Sequence, residues 1–137
     1  MTLIFTCINI SSNDISTYNI LFKMAKNSLK KYLPLSEATY YIMLALVNPL
    51  HGYGVMHEVE KLSDGTVKLG PGTLYGVFNT LEKEALISKV KEEDRRKYYA
   101  LTDKGKEVLR EQIARLKIMA DRGRTAYEDL VTKRTEC

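Results

Sequence analysis

The sequence predicts a mostly helical fold of the α+β class, in which three short helices precede a β-hairpin and one long helix follows it. Three observations lead to this prediction. Apolar residues recur at helical spacing in segments between residues 36 and 86, and two β-prone runs flank the charged turn EEDRR at 92–96. From Leu109 to Leu130, apolar residues recur in alternating steps of four and three. A chain of 137 residues is long enough for one such domain.

Composition limits the expected partners and compartment. The chain carries 21 Lys and Arg residues against 17 Asp and Glu residues, a net charge of +4, which favours an anionic partner without proving one. Two cysteines are too few for a disulfide framework, so we interpret them as incidental thiols in a reducing compartment. Because no apolar run approaches the length of a membrane span, we expect a cytoplasmic location and no membrane partner.

Residues 1–23 differ from the rest of the chain. They contain only Asp14 and Lys23 as charged residues and show no lasting period of 2 or 3.6. The segment that begins at Met24 looks like an ordinary protein start. One hypothesis is therefore that Met24 is the biological initiator and that residues 1–23 are a non-native or disordered extension. The alternative is a genuine arm or an additional β-strand.

The first predicted helix of the domain is apolar on all sides. Residues 36–39 (SEAT) supply capping side chains, and the run YYIMLALV at 40–47 has no polar face. A helix of this kind must be covered all round, which suggests that a second chain contributes part of the cover. Asn48-Pro49 ends this helix, since the residue before proline avoids the α region.

The second predicted helix, GYGVMHEVEKL at 52–62, is amphipathic. Val55, Val59 and Leu62 fall on one face. A turn at 63–65 follows, and TVKL at 66–69 suggests one short strand.

The third helix has two faces of different character. An apolar stripe at helical spacing predicts burial of Leu74, Val77, Phe78, Leu81 and Ala85. The opposite stripe combines small and polar residues: Gly72, Tyr75, Gly76, Asn79 and Lys83. A glycine costs about 1 kcal/mol relative to alanine inside a helix. Gly76 therefore indicates close approach, either of another surface such as a groove wall or of a neighbouring helix.

The glycines that precede this helix do not form a phosphate loop. They have the spacing GxGxxxG, which is not the dinucleotide fingerprint, and the chain contains no GxxxxGK[ST] run. Pro71 suits the first turn of a helix, where its missing N–H is not needed. The glycines and the proline therefore mark a helix start.

A β-hairpin is predicted after the third helix, from ISKVK at 87–91 and KYYAL at 97–101. It carries five basic residues, which either contact an anionic partner or protect an exposed strand edge: Lys89, Lys91, Arg95, Arg96 and Lys97. Three helices followed by a hairpin is the order of a winged helix-turn-helix. In that fold the third helix enters the major groove of DNA and the hairpin, or wing, reaches the flanking backbone.

Four motifs in this order make the resemblance specific: LSEATYYIMLAL, LHGYGV, GTLYGVFNTLEKEALI and RRKYYALTDKG. Over residues 33–122 the chain resembles the PadR family of bacterial transcription regulators, in its short form with a single C-terminal helix. The resemblance implies a homodimeric winged-helix repressor that binds double-stranded DNA and whose activity often changes when a small molecule binds.

The winged-helix interpretation assigns DNA-contacting roles to eight residues. We expect Tyr75 and Asn79 to face the major groove, with Thr73 near a phosphate at the helix start. Phosphate contacts from the third helix and the wing are expected from Lys83, Arg95, Arg96 and Lys97. By resemblance, Tyr53 is a further phosphate contact, and its alternative is packing under the wing. Because the third helix has no arginine, we expect an operator rich in A·T.

The long helix starts at Thr102, which is expected to cap it, with Asp103 favourable near the helix amino terminus. Its heptad pattern predicts a dimer seam at Leu109, Ile113, Leu116, Ala120, Gly123, Tyr127 and Leu130. At Ala120 and Gly123 the seam is thin, so the helices approach closely, or the helix bends at ADRGR, or a hollow remains. The predicted boundaries are 24–101 for the DNA-binding domain, 102–131 for this dimerisation helix and 132–137 for a frayed tail.

An effector pocket between the first and last helices of two chains is a further expectation. We expect it to be lined by Tyr40, Met43, Leu116, Met119 and Tyr127, because methionine adapts to varied apolar ligands. The alternative is that these residues are plain dimer core. A hydrophobic or phenolic effector fits such a lining.

Other classes of function have less support. His51 and His57, the only two histidines, belong to no metal-spacing cluster and have no obvious nucleophile beside them. We therefore expect no enzymatic activity, no metal and no cofactor. A winged-helix module used only for protein–protein contact remains the alternative function, since fold alone does not decide function.

Overall fold

A computed structural model describes residues 14–135 of the chain, which divides into two compact units, 1–33 and 34–137. In the first unit, helix α1 spans Asp14–Leu29 and a 3-10 turn spans Lys30–Tyr32. Ile20, Leu21, Phe22 and Met24 on α1 are each more than half exposed. Helix α1 runs through Met24 without a break, so residues 14–23 do not form the alternative strand. Residues 1–13 lie outside the described range, and translation from Met24 stays a prediction.

The second unit has the predicted order of three helices, a hairpin and a long helix. It consists of α2 (Glu37–Ala45), β1 (Leu50–His51), α3 (Gly52–Leu62), α4 (Pro71–Lys83), β2 (Ile87–Glu93), β3 (Arg96–Leu101) and α5 (Asp103–Thr135). The sheet order is β1-β3-β2, with both pairs antiparallel. This is the predicted winged helix-turn-helix, with one short strand added at the outer edge of β3.

The core lies where α2, α3 and α4 pack together against the hairpin. Its fully buried side chains come from these elements, from the residues that follow α2 and α4, and from the start of α5: Ile42, Met43, Leu46, Val55, Val59, Leu74, Phe78, Leu86, Ile87 and Val108. Phe78 contacts Tyr99 of β3 with ring centroids 4.8 Å apart, which joins the third helix to the wing. The predicted apolar stripes of α3 and α4 are confirmed at Val55, Val59, Leu74, Phe78 and Leu81, whereas Val77 is only half-buried.

Two predicted members of those stripes are wrong. Leu62 lies at the last turn of α3 and is 39% exposed. Helix α4 ends at Lys83, so Ala85 falls outside it with a φ of 56° and is exposed, while Leu86 takes the buried place. The apolar spacing in the sequence continues for one turn beyond the point where the backbone enters the left-handed region and the helix ends.

The predicted strand TVKL does not form, and the third strand comes instead from Leu50 and His51. The Ser63 hydroxyl accepts a hydrogen bond from the Val67 N–H at 3.0 Å, and the Thr66 hydroxyl donates to the Ser63 carbonyl. These local bonds hold the segment after α3 in a turn. On β1, Leu50 pairs with Tyr99 and His51 pairs with Tyr98.

Helix α5 leaves the body of the unit after its third turn. Thr102 caps it as predicted, since its hydroxyl oxygen accepts from the Gly105 N–H at 3.0 Å. Gly105, Val108, Leu109 and Gln112 are its buried residues, and every residue from Ile113 to Thr135 is exposed. The helix is continuous through Gly123 and extends to Thr135, four residues past Val131. Fraying of residues 132–137 stays a prediction.

Candidate nucleic-acid interface

Helix α4 presents one uninterrupted polar face to solvent. Gly70 precedes the helix with no side-chain cap, Pro71 occupies the first turn, and Leu74, Phe78 and Leu81 anchor the opposite side in the core. All predicted members of the outer stripe are exposed, and so is Thr73: Gly72, Tyr75, Gly76, Asn79 and Lys83. A phenol, an amide and an ammonium thus lie along one side of a helix with two positions that lack bulk, and the Thr73 hydroxyl lies in the first turn on a different side.

Tyr75 is held in place at the crossing of α3 and α4. A Cβ atom added at Gly52 would lie 3.0 Å from the Tyr75 hydroxyl oxygen and 3.3 Å from Leu74 Cδ2. The Tyr75 ring also meets the Phe78 ring edge-on, with centroids 6.2 Å apart. Tyr75 nevertheless remains 54% exposed, so its ring is oriented by the fold while its outer side is free. The need for glycine at position 52 was not predicted, because the sequence does not show which ring crosses it.

Gly76 does not serve packing within the described part of this chain. A Cβ atom added there would meet no atom within 4 Å. The alternative that Gly76 admits a neighbouring helix is therefore wrong for a single subunit. Gly76 instead borders an open depression of about 290 Å³, which three threonines line together with apolar side chains: Thr39, Thr73, Val77, Thr80 and Leu81.

The wing ends in a tight turn with an unusual residue. Asp94 and Arg95 are its two central residues, with φ angles of 50° and 62°. Turns with positive φ at both positions match the twist of the strands and ordinarily contain Asn-Gly or Asp-Gly. Here an arginine takes the place of the glycine. The left-handed conformation costs an ordinary residue about 1 kcal/mol, so the turn carries its charge at the expense of stability.

The five basic residues of the wing fall into two groups. Lys89 pairs with Glu92 at 3.2 Å, and Lys91 pairs with Glu93 at 3.0 Å. The hydrogen bond from Lys91 to Glu93 raises the Lys91 pKa above its ordinary value, and the Lys91 ammonium also lies 4.4 Å from the Tyr98 ring centroid. In contrast, the exposed cations of the tip and of β3 form no ion pair with a carboxylate of the described residues: Arg95, Arg96 and Lys97. This holds although Glu93 and Glu92 stand opposite two of them in the register.

The turn before α3 places Tyr53 on the surface. His51 caps α3, because its Nδ1 atom accepts from the Gly54 N–H at 3.1 Å, and its ring meets Tyr98 edge-on at 5.3 Å. Tyr53 is 64% exposed and packs on His57, with ring centroids 4.6 Å apart. The alternative that Tyr53 packs under the wing is therefore wrong. Histidine at position 51 is a helix cap and a link to the wing, a role that sequence reasoning missed.

The residues predicted for a dimer or effector pocket do not form one site within the chain. Met43 is fully buried in the core, so it cannot line a pocket, because α2 turns this side chain inward. Tyr40 and Leu116 border a depression of about 290 Å³ together with Leu35, Glu37, Tyr41 and Gln112. Gln112, which was not predicted, is 5% exposed and its Oε1 accepts from the Leu35 N–H at 3.0 Å.

The predicted seam on α5 is exposed except at its start. Leu109 is 4% exposed and belongs to the chain's own core, so it is not available to a partner. The members further along are all exposed: Ile113, Leu116, Ala120, Gly123, Tyr127 and Leu130. Met119, beside this seam, is 65% exposed. The exposed part of the pattern therefore starts at Ile113.

Two kinds of site receive no support within residues 14–135. No three His, Cys, Asp or Glu side chains gather there in an arrangement that would hold a metal ion. None of the helices in this range combines the length and the apolar character needed to cross a bilayer.

Comparison with known proteins agrees with the fold and identifies the family. The sequence model of the transcriptional regulator PadR-like family matches residues 41–111, which is just over half of the chain. An uncharacterised 37.1 kDa protein in transposon TN4556 of Streptomyces fradiae is 36% identical over 75 residues, 54% of this chain and 21% of that protein. Transcriptional regulator YqjI of Escherichia coli K12 is 31% identical over 72 residues, 53% of this chain and 35% of that regulator. The chain thus spans only about a fifth and about a third of these relatives.

Solved structures cover more of the chain. A PadR family transcriptional regulator from Eggerthella lenta has a TM-score of 0.53 at 25% sequence identity. The alignment covers 83% of this chain and 97% of the Eggerthella lenta chain. A PadR family regulator from Clostridium difficile R20291 has a TM-score of 0.56 at 20% identity, over 67% of this chain and 99% of its own, and shows the fold. The members of the matched family are transcriptional regulators and not enzymes, in agreement with the predicted class. The chain belongs to the PadR-like family of transcriptional regulators.

Proposed function

We propose that this protein binds a specific double-stranded DNA operator as a homodimer and represses transcription from it, in the cytoplasm. The observation that carries the proposal is the pairing of two surfaces on one unit. The outer face of α4 offers hydrogen-bonding side chains at Tyr75 and Asn79 beside positions without bulk, and Thr73 is exposed in the first turn of the same helix. The wing tip offers Arg95, Arg96 and Lys97 without carboxylate partners among the described residues.

Each surface has a separate task in this proposal. Asn79 reads adenine in the major groove, because an amide offers a donor and an acceptor together, and Tyr75 lies beside it. Thr73 and Lys83 hold phosphates at the two ends of α4, and the wing cations neutralise the flanking backbone. Tyr53, exposed at the start of α3, adds a further phosphate contact. Arg95 supports a separate role for the wing, because a charged arginine occupies a turn position that ordinarily favours glycine.

The homodimer forms along α5. Residues 113–135 extend about 35 Å beyond the body of the unit and carry a row of exposed apolar side chains. Water-exposed rows of this length are typical of helix–helix interfaces. A twofold dimer would direct two α4 helices to successive major grooves, with half-sites about 34–36 Å apart in an inverted repeat.

A small hydrophobic or phenolic effector releases the operator in this proposal. The depression bordered by Tyr40, Tyr41 and Leu116 supports it, since two phenol rings and a leucine of α5 meet there. Gln112 at its floor accepts a backbone hydrogen bond from Leu35, so the start of α2 and α5 are joined at this place. A ligand that separates them changes the position of the dimer helix.

A mobility-shift assay tests the DNA-binding step. Duplex DNA from the region upstream of the protein's own gene is titrated at two salt concentrations, after the dimer has been verified by light scattering. We expect a specific complex that weakens steeply with salt, and an Arg96→Ala, Lys97→Ala variant that binds all sequences more weakly with a flatter salt dependence. A folded dimer that forms no specific complex contradicts the proposal and favours the alternative, a winged-helix module for protein–protein contact.

A further inference from the structure

The end of α4 and the start of α5 are joined by a short set of direct contacts. Three consecutive carbonyl groups after α4 accept hydrogen bonds from the start of α5. The Lys104 ammonium donates to the Glu84 carbonyl at 2.8 Å, and the Thr102 hydroxyl donates to the Ala85 carbonyl at 2.6 Å. The Thr102 N–H donates to the Leu86 carbonyl at 3.0 Å. We call this set, with Gly105, the α4–α5 joint.

Gly105 brings the two backbones into close contact at this joint. A Cβ atom added at Gly105 would lie 2.0 Å from the Leu86 carbonyl oxygen and 3.0 Å from its carbon. Neither atom belongs to a flexible side chain, so a larger residue requires the helix itself to move. Restoring an ordinary contact of 3.4 Å displaces the start of α5 from Leu86 by more than an ångström.

Thr102 links the two sides of the joint through one side chain. Its hydroxyl oxygen accepts from the Gly105 N–H, which caps α5, while the same hydroxyl donates to the Ala85 carbonyl beyond α4. Ala85 has a φ of 56°, so the chain leaves α4 through a left-handed residue that Thr102 holds. The start of one helix and the exit of the other therefore share one side chain.

We infer that the α4–α5 joint sets the distance between the two recognition helices of the dimer, and so selects the spacing between operator half-sites. This inference rests on the proposed DNA-binding dimer. About 22 Å of helix separate Gly105 from Ala120, at the middle of the exposed seam. A displacement of more than an ångström in each subunit adds up to roughly 3 Å between the two α4 helices, close to the 3.4 Å rise of one base pair.

The test compares binding to duplexes of different spacing. The operator preferred by the wild-type dimer is first selected from random-sequence DNA. Affinities are then measured for that duplex, for versions with one base pair added or removed between the half-sites, and for a single half-site. The variants are Gly105→Ala and Lys104→Met, and the matched control is Lys117→Met, which removes the same charge from α5 away from the joint.

We expect Gly105→Ala to change the preference for the selected spacing over the altered spacings by about tenfold, while single half-site affinity stays within about twofold of wild type. Lys104→Met shifts the preference in the same direction by a smaller factor, and Lys117→Met keeps the wild-type ratio. If Gly105→Ala does not fold, Lys104→Met decides.

Two results overturn the inference. One is a wild-type spacing preference in folded, dimeric joint variants. The other is an equal loss of affinity on the half-site and on the full operator, which would mean that the joint only stabilises α4. If the wild-type dimer selects no DNA sequence at all, the proposed function fails, an outcome distinct from either of these.

Discussion

Tyr75 lies directly over Gly52, so the phenol that faces the proposed DNA groove rests on the first residue of α3. We expect Gly52→Ala to destabilise the fold by about 1 kcal/mol, since the added methyl group overpacks the crossing of α3 and α4. Tyr75→Phe removes the nearest atom, so the same change should cost less in that background. Urea unfolding of the four proteins of this double-mutant cycle measures the coupling. Equal costs in both backgrounds would show that the contact with Leu74 Cδ2 dominates.

At Gly76, substitution by alanine is expected to raise the stability of the protein and to weaken its binding to the operator. Because a methyl group at Gly76 meets nothing within 4 Å, Gly76→Ala should stabilise the free protein by about 1 kcal/mol through helix propensity. The same methyl group is expected to weaken operator binding, since it stands on the face that approaches the groove. Thermal unfolding and a DNA titration of one preparation test both parts. A stabilised variant with wild-type affinity would remove Gly76 from the proposed interface.

Arg95→Gly should have a similar double effect at the wing. Glycine fits the left-handed turn position, so the variant is expected to gain about 1 kcal/mol in free energy of unfolding. Loss of the charge should lower affinity for all DNA sequences alike and reduce the salt slope by about 0.9 for one phosphate contact. Lys89→Ala is the matched control, because Lys89 already pairs with Glu92. A larger effect from Lys89 than from Arg95 would contradict the assignment of the free cations.

Asn79 is expected to determine one base of an operator rich in A·T. Asn79→Ala should cost about 1–3 kcal/mol on the preferred sequence and relax selection at a single position. Lys83→Ala, one turn along the same face, should weaken binding without changing the selected sequence. Selection from random-sequence DNA with each variant separates the two results. An Asn79 variant that keeps the wild-type sequence preference would show that another side chain reads that base.

Tyr99 is expected to make the stability of the fold depend on pH, and the sign of that dependence follows from the burial of its side chain. Burial, and then the nearby Glu82 charge, raise the pKa of Tyr99 above 10.0, because the phenolate is disfavoured beside Phe78. The contribution of Tyr99 to stability is therefore complete below pH 10.0 and is lost as the pH rises through the raised pKa. Thermal unfolding between about pH 9 and about pH 11 should show a smaller alkaline loss for Tyr99→Phe than for wild type. Tyr53→Phe, at an exposed tyrosine, is the control and should follow wild type.

Periodicity predicted the elements of the winged unit because burial on one side of a helix leaves a regular pattern. Leu74, Phe78 and Leu81 are buried and Tyr75 and Asn79 are exposed, as their spacing requires. The pattern failed where backbone geometry intervened. Ala85 fits the apolar spacing in the sequence, but α4 ends at Lys83 and Ala85 has a left-handed backbone conformation.

The candidate site was predictable in its residue types and not in its internal contacts. Basic residues in a hairpin sequence do not reveal which of them acidic neighbours neutralise, and only the geometry separates Lys89 and Lys91 from Arg95. In the same way, the sequence alone does not show that His51 caps α3 or that Gly105 lies against Leu86, because both contacts depend on how the backbone folds. Met43 was misplaced because a helix that is apolar all round gives no sign of which side faces its own core.

The exposed length of α5 after Gln112 has a consequence for how this regulator would respond to its own abundance. Most of the stability of a helix in a protein comes from packing of its apolar face, and the leucine, methionine and tyrosine side chains of this segment are exposed to water in a single subunit. In the proposed dimer, ordering of that segment is tied to the binding of a second copy, by mass action. At low concentration the proposed dimer would separate while each subunit stays folded, and each subunit would keep only one of the two α4 contacts with an operator. Synthesis and dilution of the chain would then control operator occupancy.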